Sequence, residues 1–265
     1  MKELIKYFCI IIIIAGFSFS CLDPMEDRQD MNFNDNSVQI DYQVQQKNGH
    51  DNVIYLQSNT PAVIPFWDYQ LGVSNKEKDT INIPFEGDWT IKYYAYTKNG
   101  PRVDSSKIKV TENDPVIFSD PAWELISNMM DGKKWVLARE GTCWGTGPTD
   151  SPEPTWWQVT FQNMLDWRAD GDEAYWPAED TIYFDLNRGY NFKRLHKDGT
   201  VTNGIWNYNP ATENIILQGT MLPLHSEREI EGEPVYHVAK LTEDEMALHI
   251  VLDWGVWGWV YNKAE

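Results

Sequence analysis

The chain is poor in cysteine, in positive charge and in helical periodicity, and each shortage excludes something. Three cysteines in 265 residues, Cys9, Cys21 and Cys143, are too few for a disulfide-built scaffold. Lys and Arg number 22 against 40 Asp and Glu, a net charge of −18. Such a surface repels phosphate backbones and anionic lipid, so neither nucleic acid nor a peripheral membrane helix is an expected partner. Neutral glycans and cations stay open. The apolar run from Tyr7 to Phe19 is too short for a membrane span. Catalytic motifs are missing as well: there is no G-x-S-x-G elbow, no phosphate loop and no H-E-x-x-H. The five histidines (His50, His196, His225, His237, His249) show no metal-ligand spacing. Among 40 acids a carboxylate pair is easy to find and uninformative, so no enzyme is expected.

Aromatic residues are what the chain has in excess: 13 Trp and 13 Tyr, a composition that favours strands and ring-stacking surfaces. Five of the tryptophans (Trp144, Trp156, Trp157, Trp167, Trp176) fall in Thr142–Pro177 among prolines, glycines and acids. That is too much ring for an ordinary loop and too little periodicity for a strand or a helix. The stretch reads as an irregular insert at the mouth of a β-barrel, its rings stacking on a sugar while Gln158, Asn163, Asp166, Arg168 and Asp172 serve as a polar rim. In the Trp156–Trp157 pair one ring is expected to be buried. Near the C-terminus Trp257, Trp259 and Tyr261 share one face by period two, which suits core filling, and Gly255 and Gly258 leave room beside them. If the mouth opens there, Trp254 and Trp257 join the insert surface. The candidate ligand-binding set is therefore Trp144, Trp156, Trp157, Trp167, Trp176, Trp254, Trp257, Asp166 and Arg168, with no catalytic residues. No cofactor is expected. Asp166–Glu173 offers oxygen ligands for calcium but lacks the helix–loop–helix spacing, and reads as a solvated acidic loop.

At the N-terminus MKELIK precedes the apolar run, and Ser18-Phe19-Ser20 precedes Cys21. This resembles a bacterial lipoprotein signal, although Ser18 stands where a branched apolar residue is usual. The resemblance implies removal of residues 1–20 and lipidation of Cys21, which is then the only membrane contact. Cys9 leaves with the signal, and Cys143 remains as a packing residue. Residues 21–36 are polar and acidic and read as a flexible tether. Asp23, Glu26 and Asp27 resemble the export signal of surface lipoproteins in Bacteroidetes-type bacteria. That implies a lipid-anchored place on the outer membrane, facing the cell exterior.

Residues 37–114 alternate in short segments separated by turns: 37–44, 53–58, 62–69, 79–85, 89–97 and 105–110. The run Gly87-Asp88-Trp89-Thr90-Ile91-Lys92-Tyr93-Tyr94-Ala95-Tyr96, with Trp67–Asp68 and SSKIKVTEND, resembles the polycystic-kidney-disease (PKD) immunoglobulin-like modules. The family usually has tyrosine where Trp89 stands. The resemblance implies a β-sandwich with Trp67 and Trp89 in its core, acting as a spacer. In residues 115–265, Asp120 and Pro121 start a short helix with Trp123, Ile126 and Met130 on one face, ended by Asp131–Gly132. About eight strands follow, at 133–138, 180–186, 190–196, 200–208, 214–219, 235–241, 246–254 and 256–262, enough to close a small barrel. Trp123-Glu124-Leu125, Lys134-Trp135-Val136-Leu137, Thr181-Ile182-Tyr183-Phe184, Gly204-Ile205-Trp206-Asn207-Tyr208, Tyr236-His237-Val238 and Leu241–Met246 resemble, in this order, the lipocalin-like domains of Bacteroidetes outer-membrane lipoproteins.

The expected fold is thus all-β: an immunoglobulin-like sandwich, then an antiparallel lipocalin-like barrel with a short preceding helix. The resemblances imply a non-catalytic surface lipoprotein that captures polysaccharide or oligosaccharide beside an outer-membrane glycan transporter. The alternatives are a lipocalin-like carrier or transporter assembly partner, and a glycoside hydrolase.

Overall fold

A computed structural model describes residues 38–97, 100–149, 151, 154–172, 177–224 and 232–264. The signal (1–20), the tether (21–36), Cys21 and Trp176 lie outside them. Among the described residues no helix is long and apolar enough to cross a membrane.

The first part of the chain forms strands β1 (Tyr42–Lys47), β2 (His50–Ser58), β3 (Ile64–Asp68), β4 (Val73–Ser74), β5 (Lys78–Asn82), β6 (Gly87–Thr97) and β7 (Gly100–Val110). They build two sheets, ordered β1-β2-β5 and β4-β3-β6-β7. In β6 the period-two pattern buries Trp89, Ile91, Tyr93 and Ala95 on one face. Tyr42 of β1 stacks on Tyr93 at 4.7 Å and meets Trp67 of β3 edge-on at 5.8 Å. Ser58 and Tyr93 share a 2.6 Å hydrogen bond. Trp67 and Trp89 are buried in the core, as expected.

Helix α1 (Ala122–Ser127) follows. Asp120 Oδ1 accepts the Ala122 N–H at 2.8 Å, which satisfies one of the free donors at the helix start. The helix stops before Asp131–Gly132 because Asn128 turns left-handed (φ 50°), its N–H bonding back to Glu124 O at 2.7 Å. Then come β8 (Lys133–Leu137), β9 (Thr142–Gly147), β10 (Trp157–Thr160), α2 (Phe161–Ala169), β11 (Thr181–Asp185), β12 (Asn191–Leu195), β13 (Val201–Asn209), β14 (Asn214–Gln218), β15 (Val235–Leu241), β16 (Glu245–Leu252) and β17 (Gly255–Lys263). Strand β8 and strands β11 to β17 pair in turn, and β17 returns to β8, with Tyr261 opposite Leu137. The result is a closed eight-stranded antiparallel barrel. Trp135, Phe184, Phe192, Trp206, Tyr236, Trp259 and Tyr261 are fully buried, so the barrel is a packed core.

One end of the barrel is covered by α1. Trp135 Nε1 donates to Ile126 O (2.8 Å) and Lys133 Nζ to Leu125 O (2.9 Å), while Trp123 meets Trp206 at 5.2 Å and Tyr208 at 5.5 Å. The first module docks at this same end. Phe85 packs on Tyr190 (4.9 Å) and Phe118 (5.7 Å), and Tyr190 on Trp123 (5.8 Å). Arg188 lies over the Trp89 ring at 5.6 Å and donates to Asp88 O. The two modules therefore share one continuous apolar core. The other end, where β8, β12, β14 and β16 finish and β11, β13, β15 and β17 begin, carries the insert. Phe85→Ala empties the junction and is expected to cost about 3–5 kcal/mol. Calorimetry should show one unfolding transition for the wild type and two for this variant.

Candidate functional site

The insert is more regular than its sequence reads. It holds two strands and a helix, where irregular chain was expected. Strand β9 continues the line of β8 along β17: Ala138 N–H bonds to Val260 O at 2.9 Å, residues 139–141 leave the ladder, and Trp144 resumes it opposite Trp259. Strand β10 then pairs with the free edge of β9, so a two-stranded flange extends the barrel wall past its rim. Thr160 caps α2: its hydroxyl accepts the Asn163 N–H at 3.2 Å, and Asn163 Oδ1 accepts the Thr160 N–H at 3.0 Å. Val159, Phe161 and Met164 are buried and hold strand and helix to the barrel.

This arrangement collects the rings. Trp144, Trp157 and Trp257 share one face of the sheet by register. Trp144 stacks on Trp257 with centroids 4.7 Å apart and planes 6° from parallel, and Trp157 meets Trp144 edge-on at 5.2 Å. Trp167 of α2 lies 6.2 Å from Trp157 at 26°, and Trp254 stands perpendicular to Trp257 at 5.7 Å. Trp156 lies over Gly255, where an added Cβ would fall 2.6 Å from the ring. Exposures separate the roles: Trp156 is 60 %, Trp254 49 % and Trp157 40 % exposed, whereas Trp144 is 6 % exposed. Both rings of the consecutive pair thus face solvent, against the expectation that one is buried. Trp144 is the base of the patch, held between neighbours, and offers no free face. Trp259 and Tyr261, on the same face of β17, fill the barrel as expected.

The polar candidates sit elsewhere. Of DWRADGDE, Asp166–Ala169 form the end of α2 where a loop was expected, Asp170, Gly171 and Asp172 are exposed outside the helix, and Glu173 lies outside the described residues. Asp166 accepts a 2.7 Å bond from Gln162 Nε2, one turn earlier on that helix. Arg168 turns away from the rings into a cleft of about 660 Å³ lined by Pro177, Asp180, His196, Lys197, Asp198 and Thr200. Of the rim residues, Asn163 is engaged in the cap, and Gln158 Nε2 donates to Pro154 O at 3.2 Å. Among the described residues no group of three or more His, Cys, Asp or Glu is placed to hold a metal. Cys143 is buried and donates to Val159 O at 3.4 Å; burial pushes its thiol up to about 12, as suits a packing residue.

The cleft was not legible in the sequence, since β11 and β12 bring its residues together only by pairing. Asp180 is buried and accepts from Arg194 Nε (2.6 Å) and His196 Nδ1 (2.9 Å), and His196 Nε2 meets Thr202 Oγ1 at 2.8 Å. Glu179 binds Arg168 and, at 2.6 Å, Lys197. Burial pushes the Glu179 carboxyl up, but the hydrogen bonds and charges of Lys197 and Arg168 outweigh it and hold the group below its ordinary value.

No family model matches the chain, and no curated protein matches it.

A carboxyl whose pKa is lower folded than unfolded stabilises the fold above its unfolded value and loses that contribution as pH falls through the folded one. Glu179→Gln should therefore melt below the wild type at neutral pH. The gap should narrow as pH drops below about 4.3, the unperturbed Glu value, as followed by thermal melts across that range.

Proposed function

We propose that this chain is a non-catalytic, cell-surface glycan-binding lipoprotein that captures polysaccharide or oligosaccharide by aromatic stacking for an outer-membrane uptake system. The observation that carries the reading is the ring patch. Trp156, Trp157 and Trp254 present large faces to solvent at the free end of the barrel, on a base of Trp144 and Trp257. Flat rings backed by rigid sheet suit the apolar faces of sugar rings, and exposed tryptophans are costly to keep without a partner. Within this reading the two facing sheets are a PKD-like immunoglobulin sandwich, the barrel is lipocalin-like, and Cys21 carries the lipid. The export-like acids Asp23, Glu26 and Asp27 direct the anchored protein outward.

The carrier alternative needs room for a small apolar ligand inside the barrel, and Trp135, Trp206, Trp259 and their neighbours fill that space. The hydrolase alternative needs carboxylates free for proton transfer. Of the acids lining the cleft, Asp180 is paired with Arg194 and Asp198 accepts from the Thr200 N–H and hydroxyl, while the adjoining Glu179 is paired with Arg168 and Lys197, which suits structural roles.

The test is affinity electrophoresis and calorimetry of soluble protein beginning after Cys21, against a broad panel of polysaccharides. Trp157→Ala and Trp254→Ala should each weaken binding about tenfold or more, at least ~1.4 kcal/mol, with little change in melting temperature. Trp144→Ala should instead cost about 3–5 kcal/mol of stability. A folded protein that binds no glycan in the panel overturns the proposal.

A further inference from the structure

Two histidines that the sequence separates meet on the outer wall of the barrel. In β15 the inward residues are Tyr236 and Val238, so His237 points out; in β16 the inward residues are Leu248 and Ile250, so His249 points out. The register sets the two directly opposite each other across adjacent strands, with ring centroids 4.9 Å apart and planes tilted by 36°. Both line a cleft of about 330 Å³ with Asn214, Glu233, Val235, Ile250 and Val251.

Their surroundings differ from those of an ordinary surface pair. His249 is only 5 % exposed although it points outward. Two described residues from between β9 and β10 lie on this wall: Pro154 sits on Gly258, the cross-strand partner of His249, and His249 donates to the Ser151 backbone carbonyl. Nδ1 of His249 is buried and has no hydrogen-bond partner among the described residues. A buried imidazole nitrogen left unmatched is costly and calls for an explanation. His237, in turn, is oriented from behind. Its Nδ1 lies 3.3 Å from Asn214 Oδ1, an acceptor in the amide orientation shown, which puts the proton on Nδ1 and leaves Nε2 as a lone pair.

The geometry points to a divalent transition-metal site in which His237 and His249 are the two protein ligands and water completes the shell. Imidazole is the ligand that zinc, copper and nickel share. An ion held at about 2.0–2.1 Å from one nitrogen of each ring places two imidazoles side by side at a separation close to that observed. The Asn214 contact is the outer-shell bond that metal-bound histidines characteristically make. A metal here would tie β15 to β16 beside Pro154, on the wall face opposite Trp144, Trp157 and Trp257. The proposal does not depend on the glycan reading.

The experiment is calorimetric titration of Zn²⁺ into the full chain, with Cu²⁺ electron paramagnetic resonance on the same protein. The expected result is one Zn²⁺ site and a Cu²⁺ spectrum with splitting from two imidazole nitrogens. His237→Ala, at a half-buried position, should weaken Zn²⁺ by at least about tenfold, and Asn214→Ala by about 10–100-fold. His50→Ala, in the other module, should bind as the wild type does. Absence of binding up to about 1 mM Zn²⁺, equal affinity in His237→Ala, or a Cu²⁺ spectrum without nitrogen splitting overturns the assignment.

Discussion

The closure of the barrel by β17 is the constraint on which the other features depend. Along one edge β17 pairs with β16 from Gly255 to Asn262. Its other edge is longer than any single partner: Tyr261 to Lys263 pair with β8, and Val256 to Trp259 pair with β9. The inner half of the strand closes the barrel and the outer half carries the flange. An exposed strand edge is a row of unpaired donors and acceptors, so the extra length of β17 demands a partner, and β9 supplies it. The ring patch follows from that demand. Trp144 and Trp257 stack because the register places them diagonally on one face at the point where the wall leaves the barrel.

The flange is possible only because two positions carry glycine. Gly145 has φ of +147°, and a Cβ there would lie 1.8 Å from the Trp157 carbonyl oxygen. Gly255 has φ of +153°, and a Cβ there would meet both the Trp156 ring and the Gly147 carbonyl. Both are backbone conformations that favour glycine, at places where another chain passes at contact distance. Glycine thus lets β10 and Trp156 approach, while the packing of Val159, Phe161 and Met164 holds the flange in place.

Much of this fold was legible in the residues, and the failures have physical causes. The eight barrel strands read correctly because alternation such as that of Thr181-Ile182-Tyr183-Phe184 states which face is buried, and turns such as Lys197-Asp198-Gly199 state where each strand ends. Trp257, Trp259 and Tyr261 shared a face for the same reason. Strand β10 is too short to show a period, and in α2 only Phe161 and Met164 are buried, so a helical stripe is hard to see. The Thr160–Asn163 cap was the available signal there. Burial of one ring in the Trp156–Trp157 pair was expected only because the two are consecutive, but Trp156 precedes the ladder and lies over Gly255 instead. Arg168 and Asp166 were grouped with the rings by proximity in sequence, whereas a helix turns successive residues to different faces. Asp180 with His196, and His237 with His249, are cross-strand neighbours, and local spacing carries no trace of such pairs.

The molecule has two unlike ends, and the difference decides which rings are left exposed. At one end α1, Phe85, Phe118, Trp123 and Tyr190 interlock, and Arg188 reaches across to Trp89. The first module is thus fixed to the barrel and is more than a spacer joined by a flexible link. Rings placed there would be consumed by packing. At the other end the barrel strands finish, nothing in the described chain covers Trp156 or Trp254, and the rings rest on sheet that is itself closed into a barrel. A stacking surface gains from such rigidity, because side chains already held in place lose little entropy when a ligand arrives. The aromatic excess therefore divides by location: rings inside the wall and at the junction make the body stiff, and the few that pass beyond the rim are the ones left to meet a partner.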